Sequence, residues 1–319
     1  MSEWMMWLDK LTQGDCEIVG RKCANLGELT QAGFHVPPGF ALSLRAYEEF
    51  LAATGAGETV RDYFAGFDAD PNDPKQLPKF TEAAAVINDV LRSKAMPASI
   101  ADELAQHYAE LCRKIGVEDI PVATRSAGPA SHPGQYESYL NVTGLPSVME
   151  NVIRVWSSTF NTRSLIARAR KGHPLEFDPI GVAVLQMVDA DAAGVMFTAD
   201  PTTADGNRII IEGSCGLGEI VVSGSVIPDN WTVDATSFTI VDRTLSPGPG
   251  RDASASRPGE SAPCLSDAEV VDIAKIGKRI AAHFGKPQDI EWAIDRSLPA
   301  DPVFILQARP ETFRINFRF

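Results

Sequence analysis

Near the C-terminus, two short stretches carry oxygen ligands and a cation at strand spacing. Residues 289–295 (DIEWAID) contain Glu291, and residues 303–309 (VFILQAR) contain Gln307 and Arg309. In a strand, residues i and i+2 project from one face, so Gln307 and Arg309 point the same way. The same alternation puts Glu291 opposite the apolar Ile290, Trp292 and Ile294. If the two strands pair through the loop holding Pro299 and Pro302, a carboxylate, an amide oxygen and a guanidinium meet on one polar surface. Mg²⁺ is a hard ion that takes one or two protein oxygens together with phosphate oxygens. Glu291 and Gln307 suit it, and Arg309 would neutralise phosphate charge. An ordinary solvated sheet face would hold the same residues.

Three further groups suit a phosphorylated ligand. Residues 20–27 (GRKCANLG) place Lys22 near a helix start, where it can reach a phosphate as a point charge or stay a plain surface lysine. Residues 124–135 (TRSAGPASHPGQ) run from a strand ending at Arg125 into a small-residue loop. Such a loop lets backbone N–H groups approach phosphate oxygens, and Arg125 can bind one bidentately; a simple turn reads the same way. Residues 212–219 (EGSCGLGE) lead into residues 221–224 (VVSG). Glycines this dense require positive φ or close approach to a ligand. Their spacing is not that of a dinucleotide-binding fingerprint.

The elements that must position these groups announce themselves unevenly. Ser266 and Glu269 form a capping box, followed by Val270, Ile273, Gly277, Ile280 and Phe284 as one buried helical stripe, with Leu265 and Val270 as a hydrophobic staple. Ser99 with Asp102, and Ser147 with Glu150, carry similar start signals; the second opens a segment running through Trp156 and Phe160 toward Arg170. Strands are expected at 182–188, 195–198 and 208–211, and at the two C-terminal stretches. Residues 68–78 and 245–263 read as solvated loops, broken by Pro, Gly and Ser.

The chain has 319 residues and a formal net charge of −13, which disfavours nucleic acid or an anionic membrane as the main partner. Hydrophobic residues are 44% and charged residues 22%, ordinary for a soluble globular protein of two domains or lobes. No window approaches a membrane span. The first ten residues show no basic region followed by an apolar run, so no secretion signal is expected. Five cysteines without a CxxC pair point to neither a disulfide framework nor a zinc site, and to a cytoplasmic setting.

Taken in order, five segments resemble the N-terminal ATP-binding domain of the pyruvate phosphate dikinase, phosphoenolpyruvate synthase and rifampin phosphotransferase family. They are residues 20–40, 124–142 (TRSAGPASHPGQYESYLNV), 184–201, 216–229 (GLGEIVVSGSVIPD), and 289–295 with 305–310 (ILQARP). The resemblance implies an α+β ATP-grasp fold, two lobes enclosing the nucleotide, divided here as residues 1–180 and 181–319. It implies that Lys22 and Arg125 bind phosphate, that Gly134 and Ser138 belong to the loop covering the phosphates, and that Gln186, Met187 and Val188 contact adenine. It further implies that Glu291 and Gln307 hold Mg²⁺ and that Arg309 is the arginine of the QARP motif.

This chain departs from the pattern in three places. Arg21 and Cys23 replace glycines of the usual GGKGANL, and Pro129 replaces the second arginine of the dikinase loop. The family's phosphate-carrying histidine motif, TGGxxSHAAI-like, is absent. His132 aligns with a loop position, and His35, His107, His173 and His283 read as structural or surface residues. The resemblance therefore implies a partner domain or chain that supplies the histidine, with the small-molecule acceptor bound elsewhere. Phenylphosphate synthase, whose nucleotide-binding and histidine-carrying parts are separate polypeptides, resembles such an arrangement; a piece of a longer enzyme would look the same. In that setting ATP is cleaved to AMP and phosphate, and the β-phosphoryl group passes to the histidine. The alternative is an ATP-binding regulatory module without turnover.

Overall fold

A computed structural model describes residues 4–129, 136–203, 205–216, 227–246 and 263–311. The chain forms two compact units. The first comprises residues 1–31 and 38–187, and the second residues 32–37 and 188–319. The division falls after Met187 rather than after residue 180, because residues 181–186 form a central strand of the first unit's sheet.

That first sheet has the order β1 (Met5–Trp7), β2 (Gly39–Leu42), β5 (Gly181–Gln186), β3 (Val122–Ala127) and β4 (Ser138–Val142), with every neighbouring pair antiparallel. β2, β3 and β5 are buried almost throughout, as strands covered on both faces must be. Around them lie α1 (Cys16–Val19), α2 (Arg21–Gln31), α3 (Leu44–Ala53), α4 (Ala56–Ala65), α5 (Leu77–Arg92), α6 (Ala98–Ile115), α7 (Leu145–Ser157) and α8 (Thr162–Lys171). Phe40, Tyr47, Phe50, Phe80, Trp156 and Phe160 anchor one continuous core. Two expected helix starts move. α6 begins at Ala98, behind Pro97, whose fixed ring geometry already directs the chain into the helix, so Ser99 falls inside the first turn. α7 begins at Leu145 with Pro146 in its first turn, after Gly144 at φ +81°, so Ser147 is not the cap. The segment from α7 toward Arg170 is interrupted. Residues Ser158–Phe160 form a short 3₁₀ turn, and the Asn161 side chain then accepts from Ser164 N–H to start α8.

The second unit has a six-stranded antiparallel sheet in the order β11 (Val303–Pro310), β10 (Gln288–Ile294), β6 (Ala192–Phe197), β7 (Arg208–Cys215), β8 (Asp229–Asp234) and β9 (Ile240–Thr244). Burial alternates residue by residue along β7, β8 and the start of β10, so one face is packed while the other is half-exposed and carries Glu212, Asn230, Asp289 and Glu291 as well as Ile210. α9 (Asp267–Phe284) covers the apolar face. Its Ser266–Glu269 capping box is made on both sides, and Val270, Ile273, Gly277 and Ile280 are buried as their spacing requires. Gly277 permits the close approach: a Cβ there would lie 2.4 Å from the Met196 sulfur. The buried Asp229 carboxylate accepts from Ser246 N–H at 2.8 Å and Cys264 N–H at 2.9 Å; residues 247–262 of the expected 245–263 loop lie outside the described residues. Two antiparallel sheets with segregated helices make this an α+β protein, compatible with the ATP-grasp expectation.

Candidate functional site

In the first unit the phosphate-binding candidates sit where α2 meets the end of β3. Gly20, at φ +81°, precedes α2; a Cβ there would stand 1.9 Å from the Ala127 carbonyl oxygen, so only glycine lets the helix begin against this strand. Arg21 N–H donates to Gly128 O at 3.0 Å, which bolts the first turn to the strand end. Lys22 is the second residue of α2, and Arg125 lies on β3. The charges of both act on the fully buried Cys23 thiol. Burial pushes that thiol up to about 12, and the charges of Lys22 and Arg125 oppose the shift. The first turn of α2 therefore carries Arg21 and Lys22 and no acid, at the end of a helix where the peptide dipoles already favour an anion.

Ser138 begins β4 and is the register partner of Arg125. β4 is an edge strand, and its pairing with β3 is interrupted by a register shift between Val122 and Thr124. Its entry is held by side chains. Tyr136 Oη donates to Asp178 Oδ2 at 2.5 Å, and Glu137 N–H donates to Ser158 Oγ at 3.1 Å. Asp178 in turn faces the Arg168 guanidinium at 3.8 Å, which is buried and donates to Thr159 O at 2.7 Å. Burial lowers the Arg168 pKa, and Asp178 offsets that loss. Burial, then Asp178, raises the Tyr136 hydroxyl pKa. Gly134 and His132 lie outside the described residues, as do residues 217–226 of the glycine-rich stretch.

Gln186 ends β5 and Met187 follows it. Their backbone N–H groups are engaged, Gln186 with Pro38 O at 2.8 Å and Met187 with Pro121 O at 2.9 Å. Any adenine contact from these two residues therefore falls to carbonyls and side chains. Val188 belongs to the second unit, in a small cluster with Ala193, Ala293 and Phe304.

In the second unit, Glu291 pairs with Gln307 across β10 and β11, and Asp289 pairs with Arg309. Registered neighbours in an antiparallel sheet share a face, so the row Gln307, Glu291, Val195, Glu212 and Asn230 crosses five strands on the polar side. Asp289 and Arg309 lie in the adjacent row of that face. Arg309 donates to Asp289 Oδ2 from Nε at 2.8 Å and also from Nη2. Burial raises the Asp289 pKa, Arg309 opposes the shift, and Glu291 adds to it. Burial also raises Glu212, which the Asn230 amide contacts at 3.4 Å. Glu311 is pushed up to about 7, mainly by burial and further by Asp289 and Asp200. Such a face, with several carboxylates and one guanidinium, favours a cation. Among the described residues no three His, Cys, Asp or Glu side chains group closely enough to hold a metal alone. Glu291 and Gln307 would offer Mg²⁺ two oxygen ligands from one face and leave the rest of its sphere to phosphate and water.

Asp289, Glu212 and Glu311 were not among the residues singled out from sequence. The signal for Asp289 was present, since it lies two residues before Glu291 on the same strand face. Glu212 required the pairing of β6 with β7 and β10. Of the four histidines among the described residues, three pack or bond within the fold and one is exposed. His35 Nδ1 lies 2.7 Å from Asp301 O, His107 packs on Trp7 and Phe40, His283 meets Phe34 edge-on, and His173 is exposed.

No helix among the described residues is long and apolar enough to cross a membrane. Residues 16–316 match the family model described as "Pyruvate phosphate dikinase, AMP/ATP-binding domain". The chain is 39% identical to a probable phosphoenolpyruvate synthase of Methanothermobacter thermautotrophicus, over 98% of this chain and 46% of that protein. It is 33% identical to the phosphoenolpyruvate synthase of Pyrococcus furiosus, over 97% of this chain and 44% of that protein, and 33% identical to that of Aeropyrum pernix, over 97% and 42%. It thus spans less than half the length of the curated relatives it matches. With the glycine-started helix, the Arg125 strand and the Glu291–Gln307 pair in place, the chain belongs to the pyruvate phosphate dikinase AMP/ATP-binding domain family.

Proposed function

We propose that this chain binds Mg·ATP and prepares it for dikinase-type phosphoryl transfer to a histidine carried on a separate domain or chain. Lys22 and Arg125 neutralise phosphate charge, Ser138 stands beside Arg125, and Arg309 contributes a further guanidinium. Glu291 and Gln307 would hold Mg²⁺, which shields the phosphate oxygens when bound. Phosphoryl transfer asks a protein mainly for positioning and electrostatic stabilisation, and these residues supply both. In the balanced reaction ATP, water and imidazole become AMP, phosphate and phosphohistidine. The imidazole attacks the β-phosphorus, and water takes the γ-phosphoryl group.

The observation that carries this reading is the cross-strand pair Glu291–Gln307, set beside Arg309 on one polar face. Support also comes from relatives named phosphoenolpyruvate synthase, which extend well beyond this chain and so have room for a histidine domain. Those names favour a phosphoenolpyruvate synthase-like acceptor over a phenylphosphate synthase-like one. All five cysteines are free thiols, in keeping with a cytoplasmic setting.

The test is to mix the chain with ATP, Mg²⁺ and a histidine-carrying domain of such a relative, then follow nucleotides by chromatography. AMP and phosphate in equal amounts support the proposal. ADP as the product, or no consumption, defeats it. Tight ATP binding without phosphorylation of the histidine domain identifies the regulatory module instead.

A further inference from the structure

Arg21 lies outside the set of residues assigned above, yet it is the best-placed additional cation of the first unit. Its backbone N–H donates to Gly128 O at 3.0 Å, and its side-chain Nε donates to Pro129 O at 3.2 Å. These two bonds hold the guanidinium at the end of β3, just beyond Arg125. The side chain is exposed, and among the described residues no hydrogen bond or ion pair engages its Nη nitrogens. Asp15 and Glu17, the nearest acids in sequence, form no ion pair with it; Asp15 instead closes a cap with Thr12. The next residue is Lys22, and no acid occurs in the first turn of α2. Two adjacent positive charges there oppose the helix dipole. Arg125 brings a third positive charge to the same Cys23 neighbourhood as Lys22. An exposed guanidinium held by a backbone carbonyl, beside Lys22, is matched by a ligand bearing negative charge.

We propose that Arg21 is a third phosphate-binding residue, which grips the polyphosphate of a nucleoside triphosphate through its Nη nitrogens while Nε stays on the Pro129 carbonyl. The proposal rests on the nucleotide-binding reading above and adds a residue to it. Two departures from the family pattern, arginine for glycine at position 21 and proline for arginine at position 129, meet at this single hydrogen bond. A guanidinium brought by the helix thereby stands at the loop position that carries no arginine of its own. A planar fork of N–H donors suits phosphate oxygens in a way that an ammonium does not.

Calorimetric titration of the whole chain with Mg·ATP and with AMP tests this, using the wild type, Arg21→Gln and Arg21→Lys. Arg21→Gln is expected to weaken ATP by about tenfold, the size of one charged hydrogen bond, and to leave AMP within about twofold. Arg21→Lys should fall between wild type and Arg21→Gln, because it restores the charge without the fork. The salt dependence of ATP binding should flatten in Arg21→Gln. Equal losses for ATP and AMP would show that Arg21 only ties α2 to the loop, and would overturn the proposal. So would an Arg21→Gln variant that binds ATP like the wild type. If the wild type itself binds no ATP, the nucleotide reading falls first and this proposal with it.

Discussion

Glu291 on β10 stands directly across from Gln307 on β11, and one pair further along the same face Asp289 stands across from Arg309. A register shift follows at once, between Glu291 and Trp292, so the ladder is broken immediately beside the pair that would meet a metal. Such irregularities bend the strand and re-aim side chains. Glu291→Gln keeps size and shape but removes the charge. It should weaken Mg·ATP binding by tenfold or more, on the order of one lost charged ligand, and change metal-free ATP binding little. The melting temperature should stay within a few degrees, since Glu291 lies on the polar face. Calorimetry with and without Mg²⁺ distinguishes the outcomes; equal effects in both conditions would exclude a metal-directed role.

Asp289 and Arg309 make a largely buried ion pair, with side chains 12% and 28% exposed. Arg309→Met leaves the carboxylate without its partner. A fully buried pair broken in this way costs about 3–5 kcal/mol, so this partly exposed one should cost about 1–2 kcal/mol. Burial already raises Asp289 above the usual carboxylate range, and loss of Arg309 raises it further. A raised carboxyl favours the folded state while protonated and loses that contribution as pH rises. The cost of Arg309→Met should therefore be larger at pH 8 than at pH 5, as measured by urea unfolding. Adding Asp289→Asn should recover most of the loss.

Glu311, pushed up to about 7, makes a pH prediction of the same sign. The folded protein holds this proton more tightly than the unfolded chain between its ordinary carboxylate value and about 7. Stability from this group is complete below that ordinary value and is lost as pH rises through about 7. Glu311→Gln should gain stability relative to wild type on going from pH 5 to pH 8. A constant difference between the two proteins across that range would show that Glu311 does not titrate there.

Tyr136→Phe removes the hydroxyl that donates to Asp178 at 2.5 Å. The bond is to a charged acceptor and half-buried, so its loss should cost about 1–3 kcal/mol in urea unfolding. Because Tyr136 holds the entry of β4 two residues before Ser138, ATP affinity should fall as well, while the wild-type fold persists by circular dichroism. An unchanged midpoint of unfolding would mean that the Arg168–Asp178 pair holds Tyr136's neighbours without it.

Local chemistry was readable from the residues alone wherever neighbours in the chain decide the outcome. The Ser266–Glu269 capping box, the buried stripe of α9 and the shared face of Glu291, Gln307 and Arg309 depend on periods of 3.6 and 2, which a sequence displays directly. Ser99 and Ser147 show the limit even at short range, because Pro97 and the Gly144–Pro146 stretch set the backbone first and the helices start earlier. The remainder was settled by pairing over long distances. β10 lies against β6, about ninety residues away in sequence, and β6 lies against β7; only that order places Glu212 in the row of Glu291 and Gln307. The need for glycine at position 20 likewise exists only because Ala127 packs against it. Strand alternation states which way a side chain points, but not what it faces, since register between distant strands is chosen by burying a whole face at once.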